Sequence, residues 1–303
     1  MRSLCSILCL VIFIVQISNA QGQNNPHLLT EWEGCGIPPP QVRQKRAAGL
    51  RQFVVGGINS PQGGYPWMAL LGYVNNLGEQ SWKCGGSLIT SRHVLTAAHC
   101  VIRTLTLARF GEHDINSDQD GPVQDININR KNRHPNFNKR LGTNDIAILH
   151  LEHDVIFSNR VRPICIPTDE PMLSRSFVGE TVSVAGWGRL QEGGRSSNVL
   201  QKLQLPVLNN FECKERFRTQ GRLLSEDQFD NSIICAGDLN GGHDSCQGDS
   251  GGPMMYPVQV GGRSLFYQIG IISYGIGCAR VDTPGVYTRV SEFIDWIQDE
   301  IYQ

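Results

Sequence analysis

Short apolar runs separated by turn residues restrict the fold of this chain more than any other feature. They are WMALLGYV, SLIT, HVLTAA, DIAILHL, ETVSVAGW, YQIGIISYG and GVYTRV, all after Val54. The runs are rich in Val, Ile, Tyr and Thr, and no helical pattern alternates with them, so they predict strands and not βαβ units. Residues 291–302 carry apolar side chains at mostly helical spacing after Ser291, which predicts one closing helix. The predicted class is all-β, a sandwich or barrel with a terminal helix.

The composition is that of an ordinary globular protein. Of the 303 residues, 40% are hydrophobic and 18% are charged. The formal net charge of -1 argues against nucleic acid or an anionic membrane as a partner. The basic runs RQKR (43–46) and RKNRH (130–134) are short, which is typical of solvated loops or processing sites.

The N-terminus has the pattern of a secretory signal. Arg2 precedes the apolar run 5–15, and Ser18, Asn19 and Ala20 follow with small residues at the positions that a signal peptidase reads. The run is too short to span a bilayer, so we expect residues 1–20 to be removed and the protein to be secreted and extracellular. Residues 21–53 are rich in Gln, Asn, Pro and basic residues, and we interpret them as a linker or pro-segment.

Eight cysteines follow the signal. An even number in an exported chain predicts four disulfides, although spacing alone leaves on the order of a hundred pairings. A structural zinc site is the alternative, but the eight include no C-x-x-C and the chain has no H-E-x-x-H. We interpret His150 and His153, an H-x-x-H pair, as surface histidines.

The stretch DSCQGDSGGP (244–253) surrounds Ser250 with glycines and aspartates. A serine hydroxyl becomes a good nucleophile only when a base takes its proton and a third group orients that base. GDSGG also satisfies the G-x-S-x-G elbow of α/β-hydrolases, but that fold needs a histidine after the serine. None of the 53 residues after Ser250 is a histidine, so the base must precede it.

His99 in LTAAHC and Asp145 in NDIAILHL are the candidate base and orienting acid. A carboxylate before an apolar strand can accept the imidazole N–H and fix its tautomer. Taken alone, the motif around His99 would favour a satisfied core histidine, and an Asp before a strand is usually a turn residue. The assignment depends on the three motifs occurring together.

Together, TAAHC, NDIAIL and DSCQGDSGGP resemble the trypsin-like branch of the chymotrypsin family of serine proteases, over about Val54 to Ile297. The resemblance implies two packed six-stranded antiparallel β-barrels with the active site between them, and a protease domain over 54–303. It implies that Ser250 attacks the peptide bond, His99 transfers the proton and Asp145 orients the imidazole, through an acyl-enzyme.

The resemblance also assigns the oxyanion hole and the base of the primary specificity pocket. The backbone N–H groups of Gly248 and Ser250 match the oxyanion hole. Asp244 matches the acid at the base of the pocket, and Ser245 adds a hydroxyl there. An anionic pocket selects a long cationic side chain, so cleavage is expected after Arg or Lys.

The pocket walls follow the family with one departure. Gly275 and Gly285 match the small residues that leave the walls open. Ser273, with Gly275, matches the edge that pairs with the substrate backbone. Tyr274 stands where the family usually has tryptophan, so the neighbouring apolar subsite keeps an aromatic wall of different size.

Zymogen activation is implied by the same resemblance. Val54 matches the new N-terminus formed by cleavage, and Asp249 matches the acid that binds its ammonium group. Most relatives have Arg or Lys where this chain has Phe53, so we expect an activating protease with chymotrypsin-like preference. The run RQKR (43–46) looks like a convertase site that trims the pro-segment without activating the enzyme.

The resemblance further implies disulfides and a calcium loop. The loop 111–125 resembles the calcium loop of trypsin-like enzymes, with Glu112 as the firmest ligand, although Val123 falls near an expected carboxylate position. A solvated acidic loop is the alternative, and no cofactor is required.

The disulfides that the resemblance implies are Cys35–Cys165, Cys84–Cys100, Cys213–Cys235 and Cys246–Cys278. The disulfide between Cys35 and Cys165 is expected to keep the pro-segment attached as a light chain.

The expected partners are those of an extracellular cascade protease. They are protein or peptide substrates with Arg or Lys, an activating protease and serpin-type inhibitors. The alternative function is a catalytically silent homologue that acts as a binding protein or cascade cofactor. Such homologues usually lose His, Asp or Ser, and this chain has all three.

Overall fold

The computed structural model describes residues 34–39, 57–241, 248–278 and 280–303. The predicted signal, most of the pro-segment, Phe53, Val54, Asp244, Ser245 and Cys246 lie outside these ranges. No helix within the described ranges is long and apolar enough to cross a membrane. The described chain forms thirteen strands and two α-helices.

The strands divide into two groups in chain order. The first seven are β1 Ile58–Asn59, β2 Met68–Val74, β3 Gln80–Leu88, β4 His93–Thr96, β5 Leu105–Phe110, β6 Gln124–Arg133 and β7 Ala147–Leu151. The last six are β8 Thr181–Gly186, β9 Gln201–Leu208, β10 Ile233–Ala236, β11 Pro253–Val260, β12 Arg263–Tyr274 and β13 Gly285–Arg289.

The first group without β1, and the second group, each close into an antiparallel six-stranded barrel. The first has the order β2-β3-β4-β7-β6-β5. The second has the order β9-β10-β13-β12-β11-β8 and is closed by pairing of β8 with β9. Strand β1 joins the edge of β9. The predicted fold, two six-stranded barrels, is confirmed.

The C-terminal helix α2 (Ile294–Tyr302) is confirmed, and it joins the two halves of the chain. Its buried face consists of Ile294, Ile297 and Ile301, which pack in one core cluster with side chains of the first barrel. A 3-10 helix, Val290–Phe293, connects α2 to β13 of the second barrel. Burial of each side chain contributes about 1.5 to 3 kcal/mol, so α2 ties the end of the second barrel to the first.

Helix α1 (Asn210–Thr219) was not predicted. The side chain of Asn209 caps it by accepting the N–H of Phe211 at 2.8 Å. Only Cys213 and Phe217 are buried, and the other positions are mostly charged or polar. A helix with so narrow an apolar face leaves no periodic signal in the sequence.

Three of the implied disulfides are present, and one of them joins the segment before Val54 to the rest of the chain. Their pairs are Cys35–Cys165, Cys84–Cys100 and Cys213–Cys235. Cys278 is also disulfide-bonded, while its implied partner Cys246 lies outside the described residues.

The interpretation of His150 as a surface histidine is wrong, whereas His153 is exposed. The side chain of His150 is 11% exposed. Its Nδ1 lies 3.1 Å from Nε2 of the buried His93, and a guanidinium nitrogen of Arg130 lies 3.0 Å from its Nε2. Burial, together with the charge of Arg130, lowers the pKa of His93 to about 3 and that of His150 to about 4.

Acid should therefore destabilise the protein through this histidine pair. The unfolded chain binds protons at these histidines near pH 6.5, whereas the folded protein does so only near their lowered pKa values. We expect the thermal unfolding temperature to fall as the pH drops from about 6.5 to about 4. The substitution His150→Asn should flatten this pH dependence, and His153→Asn should not. An unchanged profile in His150→Asn would contradict the argument.

Candidate active site

His99 lies on a short 3-10 turn, Ala98–Cys100, that directly follows β4. The turn is fixed at its far end, because Cys100 is bonded to Cys84 on β3. The hydroxyl of Tyr73 donates to the carbonyl oxygen of Cys100 at 2.9 Å. The imidazole Nε2 lies 3.7 Å from Sγ of Cys100, but a disulfide sulfur is not a thiolate and does not form a metal site.

Asp145 holds the imidazole from the turn before β7. It is 2% exposed. Its Oδ1 accepts the backbone N–H of His99 at 2.9 Å, and its Oδ2 lies 2.7 Å from Nδ1 of the same residue. A carboxylate only accepts hydrogen bonds, so Nδ1 carries the proton and Nε2 is left as the basic nitrogen.

Two residues of the second barrel complete the environment of Asp145. The hydroxyl of Ser273 on β12 donates to Oδ2 at 2.5 Å, and that of Thr288 on β13 donates to the backbone carbonyl of Asp145 at 2.9 Å. The sequence assigned Ser273 only to the substrate edge and did not single out Thr288. Small hydroxyl residues are common in strands, so no motif could have found these contacts.

The backbone of Ser250 is held beside the turn that carries His99. Its carbonyl oxygen accepts the N–H of Gly85 at 2.9 Å and lies 3.5 Å from Sγ of Cys100. Gly251 follows with a φ of +80°, and a Cβ there would collide with Oγ1 of Thr96 and with the carbonyl oxygen of Gly85. Only glycine fits this approach of the two barrels. The structure thus places the serine against the histidine turn.

Gly248 and Asp249 occupy the segment just before the serine. Gly248 has a φ of +101°, a conformation that favours glycine. Asp249 is 9% exposed, and its Oδ1 accepts the N–H of Gly188 at 2.8 Å. A Cβ on either Gly186 or Gly188 would collide with this carboxylate. The loop that begins at Gly188 is therefore tied to the segment of the serine.

A cleft of about 640 Å³ opens beside His99 and is walled by the segment that follows Ser273. A Cβ on Gly275 would lie 3.9 Å from Cα of Gly285 and would meet only ordinary contacts, so the two glycines lie side by side and packing does not demand glycine at 275. Tyr274 stands beside them. Burial raises the pKa of Tyr274 to about 12, so the phenol stays neutral.

The loop 111–125 does not fit a calcium ion at Glu112. One oxygen of Glu112 accepts the backbone N–H of His113 and the other accepts from Arg109 at 3.2 Å. Arg109 also binds both oxygens of Asp125 at 2.7 Å. The guanidinium therefore occupies the place of a cation between these carboxylates. A calcium ion at Glu112 would have to displace this guanidinium and the backbone hydrogen bond from His113.

The fold and this site define a serine protease, and comparison with known proteins agrees. The sequence profile of the Trypsin family matches residues 54–297. The chain is 44% identical to a venom protease of Bombus pensylvanicus, over 80% of this chain and 96% of that protein. It is 41% identical to the venom serine protease Bi-VSP of Bombus ignitus, over 93% and 77% of the two chains. It is 42% identical to phenoloxidase-activating factor 3 of Holotrichia diomphalia, over 82% and 72%. The chain belongs to the trypsin family and is a serine endopeptidase.

Removing Arg109 should leave the buried Glu112 without a counter-charge. We expect Arg109→Ala to lower the free energy of unfolding by about 1 to 3 kcal/mol. Arg103→Ala is the matched control, because Arg103 is exposed and donates only to Asn76 among the described residues. Treatment with EDTA should leave the unfolding temperature of the wild-type protein unchanged. A drop as large as that caused by Arg109→Ala would show instead that calcium stabilises this loop.

Proposed function

We propose that the chain is a secreted endopeptidase, made as a zymogen, that cleaves after Arg or Lys with Ser250, His99 and Asp145 as its catalytic residues. The observation that carries the proposal is the contact of 2.7 Å between Nδ1 of His99 and the buried carboxylate of Asp145. It fixes the tautomer in which Nε2 can accept a proton. The position of Ser250 against the same turn supplies the nucleophile.

The reaction follows from these roles. Nε2 of His99 takes the proton of the Ser250 hydroxyl as Oγ attacks the peptide carbonyl. The imidazolium is stabilised by Asp145, and the negative carbonyl oxygen is stabilised by the N–H groups of Gly248 and Ser250. The proton passes to the leaving amine, which gives an acyl-enzyme. Water, activated by the same imidazole, then releases the acid and restores the serine.

Cleavage after Arg or Lys is proposed from Asp244 and Ser245, which lie outside the described residues. The close approach of Gly275 and Gly285 supports an open pocket, since neither residue brings a side chain to that wall. Ser273 joins this wall to Asp145. A bound cationic side chain would thus lie next to the catalytic residues.

An extracellular cascade is the proposed setting. The relatives include a proclotting enzyme of Tachypleus tridentatus and phenoloxidase-activating factor 3, and others are named venom proteases. These names support secretion and a protein substrate for this chain. An upstream activating protease and serpin-type inhibitors complete the proposal.

Turnover of an acetylated arginyl amide by the cleaved protein tests the proposed catalysis. Ser250→Ala and His99→Ala should each lower kcat by about three to six orders of magnitude. His153→Ala, at an exposed histidine outside the cleft, should leave the rate unchanged. Absence of turnover in correctly cleaved wild-type protein would favour a silent binding homologue.

Activation is expected only after cleavage between Phe53 and Val54. Chymotrypsin should generate activity and trypsin should not, because cutting after Arg51 leaves two extra residues on the new N-terminus. N-terminal sequencing of the active form checks this. A sequence that begins anywhere but Val54 would refute it.

A further inference from the structure

The cleft beside His99 carries a local excess of positive charge. Lys139, Arg140 and Arg222 line it and are exposed. Within the described part of the chain, none of their side chains makes an ion pair. The whole chain has 27 Lys and Arg against 28 Asp and Glu, so a basic composition does not explain three uncompensated cations at one cleft.

Among the described residues, the two acidic side chains that line the same cleft, Asp145 and Glu192, do not pair with these cations. Asp145 is buried and accepts hydrogen bonds from His99 and Ser273. Glu192 is bound by Arg280 through two hydrogen bonds, at 2.5 and 2.8 Å. The hydrogen bonds from Arg280 hold the pKa of Glu192 below its usual value, so the pair stays ionised and adds no net charge.

The turn that carries Lys139 and Arg140 is folded against Tyr274. The N–H groups of Arg140 and Leu141 donate to the side-chain oxygen of Asn138 at 3.0 and 3.2 Å. Gly142 then lies against the ring of Tyr274, where a Cβ would collide with ring carbons. This turn forms one side of the subsite next to the pocket.

The segment that carries Arg222 is tied to the hydroxyl of Tyr274 through Gln228. The N–H of Arg222 donates to the carbonyl of Phe217 at 2.8 Å. The side chain of Gln228 accepts the N–H of Leu224 at 3.0 Å and donates to the hydroxyl of Tyr274 at 3.1 Å. The cations therefore stand on two loops anchored to one aromatic wall.

We propose that this cleft selects substrates with acidic residues just before the cleaved Arg or Lys. The inference rests on the proposed function, in which the edge at Ser273 and Gly275 pairs with the substrate backbone. A peptide extended along that edge passes Tyr274 and brings its next side chains between the two cationic loops. Carboxylates there gain attraction from Lys139, Arg140 and Arg222, while basic side chains are repelled.

Three acetylated peptide amides test the preference on the activated full-length protein. They carry two Glu, two Gln or two Lys residues before a terminal Ala-Arg with a chromogenic amide, and only release of that amide after Arg is measured. The value of kcat/KM should fall from Glu to Gln to Lys, by up to about fivefold for each charged residue replaced, because the contacts are exposed. The spread should shrink in 1 M NaCl, where charges are screened within about 3 Å.

Variants locate the effect. Lys139→Gln with Arg140→Gln, and separately Arg222→Gln, should reduce the ratio of the Glu rate to the Lys rate. Arg263→Gln is the control, since Arg263 is exposed at the start of β12 and does not line the cleft. All these side chains are exposed, so the substitutions should leave the fold intact. The salt dependence is measured on the wild-type protein and tests the preference without any variant.

The two proposals fail in different ways. If none of the three peptides is cleaved, the proposed endopeptidase function fails. If all three are cleaved at equal rates, catalysis stands and the preference for acidic residues is overturned. A preference that Arg263→Gln reduces as much as the cleft variants would also overturn it, because the charge would then act from the whole surface.

Discussion

The candidate site depends on the hydrogen bonds that the buried carboxylate of Asp145 accepts. An ionised group that is 2% exposed must be compensated by hydrogen bonds. Asp145 gets them from the backbone and ring of His99 in the first barrel and from Ser273 in the second. Charge-assisted hydrogen bonds contribute about 1.5 to 3 kcal/mol each, so the same contacts that orient the imidazole also join the barrels.

The rest of the site is held in place by a disulfide and by backbone contacts, and not by contacts between the reacting side chains. A disulfide between Cys84 and Cys100 fixes the histidine turn. The carbonyl of Ser250 is bound by Gly85, and the glycine at 251 permits the close approach. Rigid placement of this kind lets a short loop hold a nucleophile near a base supplied by a different barrel.

The sequence predicted the motifs and the strands well because both leave local signals. Three of the apolar runs form β2, β7 and β8. The order of His, Asp and Ser in their motifs identified the family. Features that depend on partners distant in sequence were missed. Thr288 and Ser273 reach Asp145 from 143 and 128 positions away. The buried pairing of His150 with His93 likewise spans 57 positions, so an H-x-x-H pattern could not show it.

Charge compensation shows the same limit at two other places. The sequence of the acidic loop predicts a calcium site at Glu112, because no motif marks Arg109, whose guanidinium binds Glu112. No sequence motif marks Glu192, yet Arg280 binds it from 88 positions later in the chain. Net charge along the chain therefore says little about the charge that a substrate meets. That charge is set by which ions the fold pairs and which it leaves uncompensated.

The tautomer of His99 tests the account most directly. Nitrogen-15 NMR of the neutral imidazole reports which ring nitrogen carries the proton. The account predicts the proton on Nδ1, facing Asp145, with Nε2 unprotonated. A proton on Nε2 would contradict it, since the imidazole could then neither donate to the carboxylate nor accept the proton of the serine.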